Sequence, residues 1–384
     1  MKMQLINFLR RSTKKKKDEE KEITGKYYTA SQWKLMWRKL KKHMLARISS
    51  VILLILYLQA LFAQFIAPQG LTSYDSKYMN CPPTIIRWFD KEGKFHFRPF
   101  VYGLKIKRHP ETLRKIFTIN IKRKYPIRLF VRGEEYEFLG LIKTNLHLFG
   151  VDNPGKLFLF GTDSMGRDLF SRILLGSQIS LTIPLVGILI SFVLGILIGG
   201  ISGYLGGIID SIIQRIIEII RCFPTLPLWM TLSAAIPPQI PIVQVYFYIT
   251  IILSFIGWTG LARVVRGKFL SLREEDYTMA ARVAGLSNFK IITTHLIPGT
   301  LSYLIVSMTL SIPEMIIGET AMSFLGLGIR SPATSWGVLL QEAQEIQNVA
   351  LYPWRLIPLA YVVITVLAFN FLGDGLRDAA DPYK

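Results

Sequence analysis

Glu314 and Glu319 have the plainest chemical potential in the chain: two carboxylates five positions apart in the otherwise apolar run Gly299–Ser323. A charge near the middle of a bilayer costs about 2.5–3.5 kcal/mol on insertion scales, so such a group faces protein or water. The chemistry open to it there is recognition of a cation, which makes both residues candidates for lining a cavity. Packing between helices is the competing role. Asp163 and Arg167 stand four apart, the spacing of an ion pair on a helix surface. They would brace a surface helix whose Leu169, Phe170 and Ile173 face the membrane, a scaffold rather than a substrate contact. Arg215, Glu218 and Arg221 recur at three-residue spacing and can pair with one another or with interfacial water. No metal-ligand cluster, nucleotide-binding loop or nucleophile constellation occurs. The sequence shows no catalytic residue and no metal site.

The elements that must position these residues are apolar. The 384 residues are 51% hydrophobic with a mean hydropathy of +0.35, the composition of an integral membrane protein. Ile48–Ala67, Ile179–Ile201 and Pro241–Ala262 carry no formal charge and are each long enough for about 30 Å of hydrocarbon. Ser211–Ala235, Gly299–Ser323 and the short Leu356–Gly373 bring the expected spans to six. Helices are the only spanning structure this pattern allows. Pro224 and Pro227 are expected to kink the third span. Gly195, Gly199, Gly200 and Gly203 should let the second span approach a neighbour closely.

The net charge is +20, concentrated unevenly. Residues 1–46 form a basic tail in which Lys14–Lys17 precede Trp33, Met36, Trp37, Leu40 and Met44 at helical spacing, interleaved with Lys and Arg. This reads as an amphipathic helix on the anionic inner leaflet; the aromatic and Met stripe argues against a nucleic-acid arm. Residues 47–68 are the first span, retained rather than cleaved. Starting inside, it exports 71–158, which is basic but too long to obey the positive-inside rule. Alternation at Phe95, Phe97 and Val101 and again at Ile127, Leu129 and Val131 predicts a small β-containing domain there, turning at Arg132–Glu135. The short net-positive loop 263–298 belongs inside, so both termini are cytoplasmic. Cys81 and Cys222 then lie on opposite sides and cannot pair.

That loop has an unusual design. The fourth span should continue as helix to Leu272; Asp276 can cap a helix Tyr277–Ala284, and Gly285 can end it in the left-handed conformation. Ser287 caps a second helix, Asn288–Leu296, before Pro298 opens the fifth span. Ala280, Ala281 and Ala284 leave a low-profile face suited to entering a groove on another protein. A plain solvated loop would not need that face between two caps.

Met279-Ala-Ala-Arg-Val-Ala-Gly285 followed by His295-Leu-Ile-Pro298 resembles the EAA loop of binding-protein-dependent ABC importer permeases, with Met279 where the loop usually has Glu. Any polar bond which that Glu makes to the ATPase would have to come from Glu274, Glu275 or Asp276. Gly161-Thr-Asp-Ser-Met-Gly-Arg-Asp168, Phe223-Pro224, Glu319–Gly328, Ser335-Trp-Gly337 and Leu372–Asp378 with Asp381-Pro382 are similar to the C-type permease of dipeptide and oligopeptide importers. The similarity covers about 160–384. It implies an all-α polytopic protein with six transmembrane helices of the type I ABC importer permease fold, plus the β-containing extracytoplasmic insert, in a bacterial inner membrane. It further implies a homologous B-type permease, two ATPase subunits and an extracytoplasmic solute-binding protein as partners. ATP and Mg would bind the ATPases and no cofactor this chain. The coupling loop is 265–298, with Asp276, Met279, Ala280, Ala281, Gly285, His295 and Pro298 as its contact residues. Gly161, Asp163, Gly166, Arg167 and Asp168 are family-signature positions before the second span. Glu314 stands outside the signature; its own place after Pro313 is what suggests a carboxylate lining the cavity, where it would meet a peptide amino group. Nickel chelates or another small solute are the alternative cargo. A secondary transporter should not need the alanine–glycine elbow, and a receptor sensing through 71–158 should not need six spans.

Overall fold

The computed structural model describes residues 32–380 apart from 113, 139 and 238; the Lys14–Lys17 run and Asp381-Pro382 lie outside them. Helix α1 (Gln32–Lys42) leads into α2 (Met44–Leu61) and the short α3 (Ala63–Ile66). His43 caps α2 by accepting a hydrogen bond from the Ala46 amide at 3.1 Å. The amphipathic stripe of the tail divides between two environments. Met36 and Leu40 are buried on Ala46 and on Ala379 of the last helix, while Trp37 stays exposed with the Lys41 ammonium 5.3 Å over its ring.

Strands β1 (Arg87–Phe89), β2 (Phe95–Arg108), β3 (Lys115–Phe138) and β4 (Ile142–Val151) form an antiparallel meander in the order 1-2-3-4. The long β3 pairs along its first half with β2, Phe100 opposite Pro126, and along its second half with β4, Ile127 opposite Val151. One sequence expectation fails here. Arg132–Glu135 is no turn but an irregularity inside β3, where the register to β4 shifts between Arg132 and Tyr136. The reversal comes later, at Gly140 with φ +70. Phe95 and Phe97 alternate as expected and are exposed, while Phe100, Val101 and Tyr102, on both faces of β2, are buried.

The helical part comprises α4 (Leu169–Leu205), α5 (Gly207–Cys222), α6 (Thr225–Ala234), α7 (Ile242–Leu272), α8 (Asp276–Val283), α9 (Asn288–Ile291), a π turn (Ile292–Leu296), α10 (Ile297–Phe324), α11 (Trp336–Ala343), α12 (Ile346–Leu351) and α13 (Ile357–Ala380). Among the described residues, five helices are long and apolar enough to cross a membrane, and the pair α5–α6 makes a sixth if counted as one span bent by 83°. The expected kink in the third span is therefore a break. Pro224 disfavours helix at Phe223, whose ψ of 137 is extended. Helix α4 runs 37 residues, about 55 Å at 1.5 Å per residue, so it extends well beyond the hydrocarbon. Ile183, Ile249, Leu253 and Ile316 are fully buried in the central core of α4, α7 and α10. The glycine stripe of α4 lies directly on α7: a Cβ on Gly199 would sit 2.4 Å from the Ala262 carbonyl oxygen, and one on Gly203 2.7 Å from that of Arg266.

Candidate functional site

The segment between α7 and α10 is an elbow built on two turns. Helix α8 begins at Asp276 with Glu275 as its cap residue, which makes no side-chain cap bond; the expected Asp276 cap is thus shifted by one. At its other end Gly285 has φ +78, with Gly285 N donating to Arg282 O at 3.0 Å and Leu286 N to Ala281 O at 3.2 Å. This is the paired closing pattern that a left-handed glycine permits. Ser287 caps α9, its hydroxyl accepting from the Lys290 amide at 3.4 Å. Pro298 does not interrupt the path. The π turn precedes it, and Asn288–Phe324 continues as one 37-residue element.

The expected docking face is only partly right. Ala281 points inward, buried with Val265, Phe269, Ile291 and Leu296, and Thr278 beside it donates to Leu272 O at 2.8 Å. The exposed side carries Met279, Ala280, Ala284 and Gly285, together with two residues the sequence reading passed over, Val283 at 88% and Phe289 at 75% exposure. Asp276 and Pro298 are exposed as well, and His295 is half-buried with its ring 6.2 Å from that of Tyr277. Helix α8 hides Ala281 and shows Val283 at its end, and α9 shows Phe289, so the elbow presents an apolar knob on a surface of charges.

The knob is wired to several helices at once. Arg282 lies 5.7 Å over the ring of Tyr204 at the end of α4, and the Tyr204 hydroxyl donates to Asn288 Oδ1 at 3.0 Å. Below it, Arg266 of α7 clasps Asp210 of α5 through two bonds of 2.5 Å, the bidentate geometry that fixes orientation as well as distance. Contacts thus join α8 to α4, α7 and α10 and, through α7, to α5.

Between the α5–α6 break, α7 and α10 lies a cleft of about 410 Å³ bordered by Arg221, Phe223, Trp229, Ser311 and Glu314. Glu314 borders it. Glu319 does not: it is wholly buried, accepting hydrogen bonds from Ser180 at 3.2 Å and Ser323 at 2.8 Å. Ser180 also receives the Trp336 amide at 3.0 Å, so Glu319 ties α4, α10 and α11 together. Its five-residue offset from Glu314 turns it about 140° around the helix, away from the cleft.

At the other end of the bundle the segment 161–168 is not the surface helix expected from Asp163 and Arg167. It is a compact turn with Gly161 at φ +76 and Gly166 at φ +83, where a Cβ on Gly166 would strike the Asp75 carbonyl at 2.1 Å. Asp163 Oδ2 accepts from Arg167 Nε and Arg172 Nη1, both at 2.6 Å, and Glu342 receives the same two guanidinia at 2.5–3.1 Å. Burial pushes the Asp163 carboxyl upward, but Arg172 and Arg167 beside it prevail and hold it below the usual carboxylate range. Asp168 caps α4, accepting the Ser171 amide at 2.8 Å. Leu169 and Ile173 face a core with Trp336 and Leu339 instead of lipid. This cluster is scaffold.

Residues 195–383 match the family model of the binding-protein-dependent transport system inner membrane component. Residues 31–83 match that of the N-terminal TM domain of oligopeptide transport permease C. The chain is 32% identical to the dipeptide transport system permease protein of Bacillus subtilis (strain 168) over 90% of its own length and 84% of that protein's. It is 40% identical to the oligopeptide transport system permease protein of Escherichia coli (strain K12) over 58% and 72% of the respective lengths. A solved structure of the MetNI methionine ABC transporter in inward-facing conformations is similar over 56% of this chain and 99% of that one, at 19% identity and a TM-score of 0.45.

Proposed function

Because the chain belongs to the binding-protein-dependent transport system inner membrane components, a family of transport subunits whose ATP hydrolysis lies on separate chains, we propose that it forms half of the pathway of a peptide importer. The other half is a homologous permease. Two ATPase subunits dock on the elbow, and an extracytoplasmic binding protein delivers a di- or oligopeptide. In this arrangement both termini and the elbow face the cytoplasm, and the four-stranded sheet lies outside. The observation that carries the reading is the elbow's double character, an exposed apolar knob at Val283 and Phe289 seated on a frame that joins four helices. Closure of the ATPase dimer would draw two such knobs together and rock the spans between inward- and outward-open states.

The peptide cargo follows from the relatives, which are dipeptide and oligopeptide permeases. The decisive experiment replaces Val283 and Phe289 by Asp in the reconstituted complex and measures ATP-driven peptide uptake and ATPase co-purification. Loss of ATPase binding with a normally folded permease is expected. Uptake at the wild-type rate would remove the elbow from the mechanism.

A further inference from the structure

The cleft between α5–α6, α7 and α10 holds two opposite charges that do not meet each other. Arg221 and Glu314 both border it, both are exposed to it, and among the described residues neither forms an ion pair. In a bilayer-spanning chain a charge without partner or water is costly, and here one of each sign opens into one chamber of about 410 Å³. The hydroxyls of Thr225, Ser307 and Ser311 line the space between apolar walls that include Trp229 and Met315. The indole nitrogen of Trp229 is buried without a hydrogen-bond partner.

We propose that Arg221 and Glu314 are the two ends of a transient site for a zwitterion: the guanidinium takes a free carboxylate, the carboxylate a free ammonium. This rests on the importer reading and deepens it, since a short peptide with unblocked termini is such a zwitterion. The donor geometry of arginine suits a carboxylate, and only a cargo short enough to span the two side chains would be held at both ends. Longer peptides would engage one end only.

The test crosses protein and cargo changes in the complete transporter at saturating loaded binding protein, so that capture does not limit the rate. Arg221→Gln should slow uptake of a free tripeptide roughly tenfold and leave its C-terminal amide, already slow in the wild type, nearly unchanged. Glu314→Gln should do the same for the free peptide against its N-acetyl form. Equal slowing of free and blocked peptides by each substitution would overturn the site, because it is what loss of packing or of a partner-subunit contact predicts. Failure of the wild type to take up any peptide, with another solute transported, would instead strike the cargo reading.

A separate observation concerns the hairpin β3–β4. Its tip reads Phe138-Leu-Gly-Leu-Ile142, apolar where a solvated turn would carry polar residues. Leu141 is 85% and Ile142 62% exposed. The hairpin is anchored by His147, whose Nδ1 lies 2.6 Å from Ala67 O just beyond α3. Five residues nearer the tip, Phe138 opposite Ile142 stacks on Phe62 at 5.8 Å. From Ala67 to Phe62 the helix is heading into the membrane, so the hairpin descends beside the first span toward Leu58 and Leu61, which are exposed on its flank. We infer that the tip is seated in the headgroup–acyl boundary of the leaflet at that end of the first span, as an extension of its lipid-facing surface.

A nitroxide at Leu141→Cys, with Cys222→Ser, in the complex in nanodiscs reads this directly. Collisions with oxygen should exceed those with a water-soluble nickel chelate several-fold, and the order should reverse for a probe at Glu111→Cys. Equal exposure to the chelate at both positions, or a probe at 141 shielded from both relaxants as in a protein contact, would overturn the assignment.

Discussion

At the scale of single residues, the charged groups of the 161–172 turn show how little a residue type says without its partner. Asp163 and Arg172 are buried, and each is acceptable only because the other and Glu342 are present. Asp163→Leu should therefore destabilise the chain by about 3–5 kcal/mol, read as a lower melting temperature of the detergent-solubilised complex. The neighbouring Asp168 behaves in the opposite sense. Burial pushes its carboxyl up to about 6, against the hydrogen bonds from Ser171. A carboxyl raised in the fold binds its proton more tightly there than in the unfolded chain, so stability grows as pH falls through 6 toward the ordinary value near 4. The wild type should gain melting temperature over Asp168→Asn between pH 7.5 and 5, since Asn keeps the cap but cannot titrate. Asp163, held low, keeps its contribution throughout that window and loses it only in stronger acid. The spacing of Asp163 and Arg167 was legible in the sequence, whereas Glu342, some 170 positions away, was not. That absent partner turned a buried network into an apparent surface pair.

At the scale of elements, several readings that rest on local chemistry hold, although the Asp276 cap and the Arg132–Glu135 turn do not. The helical extension of the fourth span to Leu272, the left-handed Gly285 and the Ser287 cap are local, and all are present. The inward face of Ala281 depends on where Val265 and Phe269 lie, which periodicity over eight residues cannot decide. The α5–α6 break was visible as two prolines, but its 83° angle is set by what α6 packs on: Trp229 lies across Gly318 of α10, where a Cβ would come within 2.5 Å of its ring. The close approach of α4 and α7 makes a sharp prediction. Gly199→Leu, against the backbone of Ala262, should sharply lower the yield of folded complex in detergent. Gly200→Ala, whose added carbon meets only the Phe269 ring edge at 3.0 Å, should cost far less.

At the scale of the whole molecule, the two cysteines report on how the chain sits. Cys81 is buried, and burial pushes its thiol up to about 12, which leaves little nucleophilic thiolate. Cys222 is exposed near the proposed cytoplasmic side. In intact cells a membrane-impermeant maleimide should label neither, and a permeant one Cys222 alone; labelling of Cys222 from outside would invert the proposed orientation. The composition made a polytopic membrane chain legible, and the ordered motifs of residues 160–384 made its family legible. The inserted sheet carried no motif, and its attachment to the first span rests on aromatic contacts such as Phe65–Phe130 that no spacing rule announces.

The π turn at Ile292–Leu296 has a mechanical corollary. A wide turn stores one residue more than a regular ladder would use over the same length. Were that residue handed back, everything on the α8 side would swivel by about 100° and advance by about 1.5 Å relative to α10. The size of any such register change is fixed in advance by the geometry of the peptide backbone.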